Sequence, residues 1–127
     1  ERLPGWIEET VQGICRAAGG DADVRYRCIA PPVHNDPELT ALMERCAVER
    51  LGCSRVVAVE QPSLGAEDFA ELLRDVPGTM LRLGVAGPQG CAPLHHCRFD
   101  PDEASLPVGI EVLTATLQAW MLERQTP

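Results

Sequence analysis

Three prolines crowd one short stretch, Pro31-Pro32-Val33-His34-Asn35-Asp36-Pro37, and no regular element can run through it. Each proline removes a backbone donor, fixes φ, and pushes the residue before it out of helical space. The 127-residue chain is therefore read as two stretches joined by a crossing. Upstream, Pro4 suits a first helical turn, and Ile7, Val11, Ile14 and Ala18 fall at helical spacing before Gly19-Gly20. That pattern predicts a helix over 4–18. Asp23 to Ile29 alternates apolar and polar side chains, which predicts a half-buried strand.

Downstream, Asp36 can cap a helix whose first residue is Pro37, with Glu38 near its positive end. Leu39, Met43, Cys46 and Arg50 share one side of it and Gly52 stops it. Arg55-Val56-Val57-Ala58-Val59 reads as a buried strand. Gly65 to Ala70 opens a third helix continued by Leu72, Leu73 and Val76, and Pro77-Gly78 turns the chain into a strand over 79–85. A loop from Ala86 to Phe99 follows. Asp100, Pro101 and Glu103 then form the pattern of a capping box, Pro107 should kink or restart the helix, and Ile110, Leu113, Leu117 and Met121 continue it. Strands alternating with helices predict the α/β class.

The chain is 45% hydrophobic and 24% charged, which excludes a disordered polymer. Its formal charge is −8, all eleven basic residues are Arg, and no basic block occurs. Nucleic acid and anionic membrane are thereby excluded as expected partners. No apolar run reaches the roughly 18 residues of a membrane span. The first residues do not read as a secretory leader, so a cytoplasmic location is expected. The six cysteines are then expected to be reduced and mostly buried. Because Glu1 is not Met and the opening residues read as part of an element, a piece of a longer protein is expected.

Two constellations could carry chemistry. Cys91-Ala92-Pro93-Leu94-His95-His96-Cys97 offers four zinc-ligand types in one loop, but structural zinc sites pair two such knuckles far apart in sequence, and the second is missing. One histidine donating to a larger site and two histidines without a ligand role both remain open. Glu67-Asp68 puts two acids at a turn into a helix. Neighbouring helical side chains diverge by about 100°, so they form no acid/base dyad by themselves and can equally be helix N-terminal charge. Glu8-Glu9 reads as solvated surface, and Trp6 and Trp120 read as packing residues.

Four signals in order carry a resemblance: Asn35-Asp36, Gly65-Ala66-Glu67-Asp68-Phe69, Val76-Pro77-Gly78 leading to Leu83-Gly84, and Leu94-His95-His96-Cys97-Arg98-Phe99-Asp100 leading to Asp102-Glu103. They resemble the C-terminal part of the aminoacylase-type metal-dependent amidohydrolases, which include hippurate hydrolase, N-acyl-amino-acid amidohydrolases and plant auxin-conjugate hydrolases. These belong to a wider metallopeptidase family. The resemblance implies an α/β catalytic domain interrupted by an α/β lid that makes the dimer. Residues 1–32 would be the last helix and strand of the lid or dimerisation domain, and 33–127 the C-terminal part of the catalytic domain. It implies two divalent metal ions, zinc or manganese, and hydrolysis of N-acyl-amino acids or small peptide-like amides by a metal-activated water. His95 matches the family's late metal ligand, and Glu67 and Asp68 match an acidic pair in the active-site wall.

Cys97 stands where that pattern usually has Pro, and His96 where a small hydroxyl residue is common. The family's His-Ala-Cys-Gly-His-Asp stretch, its catalytic Glu-Glu pair and its mid-chain histidine ligand do not occur in these residues. The resemblance therefore implies an enzyme in the longer parent and no catalytic residue here. Its expected partners are the missing N-terminal part of the same protein, a second copy through the lid, and the N-acyl-amino acid substrate. The alternative is a standalone, non-enzymatic binding or assembly module derived from that fold, with a zinc-binding loop as its sharpest form.

Overall fold

A computed structural model describes residues 2–124, so the reading of Glu1 as part of the first element, and of the helical run to the chain's end, extends outside the described residues. The chain divides into two compact units between Pro31 and Pro32.

The first unit is built on α1, Leu3–Ala17, with Pro4 in its first turn. Gly19, at φ 78°, adopts the left-handed conformation that ends it. The Gly20 amide then bonds the Cys15 carbonyl at 2.9 Å and the Gly19 amide bonds Arg16 at 3.0 Å. These are the two bonds of a Schellman motif, and a side chain at Gly19 would strain them. Ile7 and Val11 are half-buried, whereas Ile14 is exposed. Trp6 is exposed too, with the Arg2 guanidinium 4.9 Å from its ring centroid.

In the second unit, α2 spans Pro37–Leu51 as its caps predict. Asp36 Oδ1 accepts from the Leu39 amide at 2.9 Å, and Gly52 ends the helix at φ 85°. One 3-10 turn, Cys53–Arg55, follows. The third helix is much shorter than its sequence pattern suggests. Only Phe69–Leu72 is α-helical, labelled α3, flanked by turns from Glu67 to Val76. α4 spans Ser105–Glu123.

α2 packs on α4. Leu42 and Cys46 meet Ala115, with Ala119 and Trp120 packed against them. Thr116 is also buried and satisfies its hydroxyl on the Val112 carbonyl at 2.8 Å. The buried stripe of α4 is thus Gly109, Val112, Ala115 and Thr116. The bulkier stripe at helical spacing, Ile110, Leu113, Leu117 and Met121, faces outward. α4 is apolar nearly all round, so periodicity does not select a face, and the small residues allow close approach. At Gly109 a Cβ would lie 3.0 Å from Leu83 Cδ2.

The helical part of the α/β expectation stands, but no strand ladder forms among the described residues; the only β pairing is an isolated bridge between Gly87 and Gly90. The expected strands over 23–29, 55–59 and 79–85 are irregular. A ladder needs a neighbouring strand about 4.8 Å away to take its amides, and these segments have none. Val57 and Val59, expected to be buried, are 80% and 61% exposed. The segment over 81–85 keeps the alternation of a strand face, with Leu81, Leu83 and Val85 half-buried and Arg82 and Gly84 exposed. Among the described residues no helix is long and apolar enough to cross a membrane.

Candidate functional site

The loop after Val85 is tied at both ends and within. The Asp102 amide donates to the Val85 carbonyl at 2.9 Å, which closes the excursion over 86–101 into an Ω-shaped loop. Inside it, the Gly90 amide bonds the Gly87 carbonyl at 2.9 Å, with Gly90 at φ 81°. The Cys91 thiol donates to the Asp100 carbonyl at 3.2 Å. Asp102 also starts α4. Its Oδ1 accepts the Ala104 amide at 2.9 Å, and its carbonyl takes both the amide and hydroxyl of Ser105 at 3.0 and 2.7 Å.

This replaces the capping box expected at Asp100. The helix begins five residues beyond that position, at Ser105. Pro107 falls in its first turn, where no intrahelical amide is needed, so it neither kinks nor restarts the helix. Asp102 entered the sequence reading only as part of a motif, and its structural role was missed: that role depends on a bond to Val85, which no local pattern announces.

His95 occupies the tip. The His96 amide bonds the Pro93 carbonyl at 3.1 Å, closing a turn in which His95 is the third residue. His95 is at φ 67°, the one non-glycine residue with positive φ among those described. Such a conformation belongs to a type II turn and normally takes Gly or Asn, at a cost of about 1 kcal/mol for other side chains. Its ring is exposed and makes no hydrogen bond or ion pair among the described residues. His96 differs. Its Nδ1 accepts the Arg98 amide at 3.1 Å, and its carbonyl accepts the Phe99 amide at 2.9 Å. A neutral His96 ring with Nδ1 accepting carries its proton on Nε2, so neither nitrogen offers a free lone pair. His95 keeps one available, which is what a metal requires of an imidazole.

The four zinc-ligand types of the loop do not converge. Among the described residues no three His, Cys, Asp or Glu groups gather closely enough to hold a metal. Cys97 is exposed and Cys91 is half-buried with its thiol engaged on Asp100. The cysteines, expected to be mostly buried, are not: only Cys46 is buried, and Cys28, Cys53 and Cys97 are exposed.

Glu67 and Asp68 lie at the entrance to α3. Glu67 Oε1 accepts the Phe69 amide at 3.4 Å and its carbonyl accepts Ala70 at 3.1 Å, while Asp68 caps nothing with its side chain. Both are exposed, and no hydrogen bond joins either to His95 among the described residues. The structure does bring two of the other motif segments together. The Asp36 amide donates to the Gly78 carbonyl at 2.8 Å, and Thr40 and Thr79 share a hydroxyl bond at 2.9 Å. Gly78 sits so close to α3 that a Cβ there would meet Leu73 Cδ2 at 2.7 Å.

Comparison with known proteins places this geometry in a family context. The family profile described as "Peptidase family M20/M25/M40" matches residues 5–119. A Synechocystis protein named "Probable hydrolase" is 43% identical over 121 residues, covering 94% of this chain and 30% of that protein. An N-acetyldiaminopimelate deacetylase of Geobacillus is 37% identical over 107 residues, covering 84% of this chain and 27% of its own length. One of Anoxybacillus flavithermus is 35% identical over 114 residues, covering 90% and 29%. The chain thus spans under a third of each of these relatives. No solved structure matches it.

Proposed function

Because the chain belongs to peptidase family M20/M25/M40, we propose that it is the C-terminal part of a metal-dependent amidohydrolase that cleaves N-acyl-amino acids or small peptide-like amides. The supporting observation is His95: an exposed imidazole with no protein partner, held at φ 67° at the tip of a braced loop. Strain of this kind persists where the surroundings enforce it, and it clusters at ligand-binding positions. Deacetylases among the relatives support an N-acyl amide as the substrate class.

In this reading His95 is one ligand of a pair of divalent ions, zinc or manganese. Its free nitrogen fits that task, whereas the engaged His96 ring does not. The chemistry such ions supply is activation of a water toward the amide carbonyl. A catalytic zinc ordinarily takes three protein ligands. His95 supplies one, and the reading assigns the others, with the general base, to the part of the relatives' length that this chain does not span. The isolated chain is then inactive. Glu67 and Asp68 line the wall of that site as exposed acids. Residues 1–32 are the end of a lid or dimerisation domain, through which the cytoplasmic protein forms a homo-oligomer, and 33–127 belong to the catalytic domain. The division of the chain at Pro31–Pro32 supports this partition.

The test is His95→Ala in the full-length protein, assayed on N-acetyl-amino acids with zinc or manganese. The expected result is a fall in turnover of about a hundredfold or more. Unchanged turnover in a folded variant removes His95 from the ligand set.

A further inference from the structure

His95 is fixed only by backbone turns, yet a metal ligand must hold its position to a fraction of an ångström. Resting on the reading of His95 as a ligand, we propose that Asp102 is its positioning residue: Asp102 clamps the base of the loop so that the strained tip presents the imidazole in one place.

The clamp has three contacts from one residue. Its amide joins the two ends of the loop through the Val85 carbonyl at 2.9 Å. Its carboxylate fixes the exit into α4, with Oδ1 on the Ala104 amide at 2.9 Å. Its other oxygen lies against the entry of the loop, because a Cβ built on Gly87 would stand only 3.0 Å from Oδ2 and 3.4 Å from Cβ and Cγ. Gly87 is therefore the residue that lets the carboxylate close on the loop. The Cys91–Asp100 contact at 3.2 Å continues the closure one layer further toward the tip. The upstream segment over 81–85 is seated independently, with Leu83 on Gly109 of α4. Loop base and helix start are thus one unit, and Asp102 is the joint between them.

Loosening this joint lets the tip relax toward an unstrained φ and withdraw the ring. A shift of about 1 Å in a positioned group costs on the order of a hundredfold, and loss of a group that orients a metal ligand costs about 10- to 100-fold in metal affinity.

The experiment uses the full-length protein and measures zinc affinity by competition with a chromogenic chelator, together with thermal unfolding of the metal-free form. Asp102→Ala is expected to weaken zinc binding about 10- to 100-fold. Asp102→Asn, which keeps an oxygen for the Ala104 amide, is expected to restore most of it. Gly87→Ala, which drives a methyl against the carboxylate, is expected to mimic Asp102→Ala and serves as the second variant if Asp102→Ala does not fold. In a His95→Ala background, Asp102→Ala should weaken zinc no further. A merely structural role would lower the metal-free midpoint and leave zinc affinity intact, or would weaken zinc equally with and without His95; either result overturns the proposal. If His95→Ala itself leaves zinc affinity and turnover unchanged, the ligand reading fails first and the proposal falls with it.

Discussion

Asn35 and Met80 exchange two hydrogen bonds across the chain. The Met80 amide donates to Asn35 Oδ1 at 3.0 Å, and Asn35 Nδ2 donates to the Met80 carbonyl at 3.2 Å. A side-chain amide here does what a neighbouring strand would do for Met80. It pins the start of the segment over 80–85 beside the N-terminus of α2, and Asp102 pins its end. The His95 loop therefore springs from a segment held at both ends.

Asn35→Ala should remove both bonds and destabilise the chain by about 1 kcal/mol, a modest figure because the pair is exposed. Asn35→Asp keeps the acceptor for the Met80 amide but sets a carboxylate against the Met80 carbonyl, so it should cost at least as much. Urea denaturation midpoints at neutral pH check this; an unchanged midpoint for both variants contradicts the pinning role.

Core and surface should separate clearly along α2. Leu42 is 4% exposed, and Leu42→Ala should cost about 2–4 kcal/mol through lost burial and a residual cavity. The Arg45–Glu123 ion pair is also short, at 3.0 Å, but its side chains are 58% and 59% exposed. Glu123→Gln should therefore cost less than about 0.5 kcal/mol. Comparable losses for the two variants would show that α2 and α4 are not held by the Leu42–Cys46–Ala115 contact.

The sequence made α2 and the end of α1 readable because their signals are local. Asp36, Pro37, Gly52 and Gly19-Gly20 act within a few residues, and each does what its chemistry suggests. The start of α4 was misread for the opposite reason. Asp100-Pro101 and Glu103 satisfy a local capping rule, but the Asp102 amide bonds Val85, and the helix starts where that contact leaves it. The packed face of α4 was not legible, because the helix is apolar nearly all round and the buried side is the one whose small residues, Gly109, Ala115 and Thr116, allow close approach. The expected strands did not form: Leu81, Leu83 and Val85 keep the alternation of a strand face, but a ladder is a relation between segments and alternation alone does not make one. Of the candidate site, the motif singled out His95. Its strained φ, which separates it from His96, is visible only in the folded chain.

The outward stripe of α4 makes a prediction about the isolated chain. Ile110, Leu113, Leu117 and Met121 are 64%, 49%, 61% and 53% exposed along one side of the helix. A continuous apolar surface of this kind drives association. The isolated chain should sediment as oligomers, and replacing Ile110, Leu113 and Leu117 together by Ser should shift it toward monomer. In the full-length protein the same replacement should lower stability instead. A monodisperse isolated chain that unfolds sharply contradicts the reading of this face as one covered by the rest of the protein.

If His95 is the proposed ligand, strain there sets stability against function. His95→Gly should relieve the left-handed conformation and leave stability unchanged or raise it by up to about 1 kcal/mol, while removing the imidazole. His95→Ala keeps the strain and should not gain. Thermal midpoints of the two variants, measured without metal, check the order; a His95→Gly midpoint well below that of His95→Ala means the turn does not hold the ring under strain.

The central claim is that this chain carries one metal ligand of an amidohydrolase whose remaining machinery lies elsewhere in the polypeptide. Side-by-side hydrolysis of N-acetyl-amino acids by the full-length protein and by these 127 residues, each supplied with zinc, manganese or cobalt, tests it most directly. The account expects metal-dependent turnover by the full-length protein and none by the isolated chain. Metal-dependent turnover by the isolated chain, or its absence from the full-length protein with every metal, contradicts it.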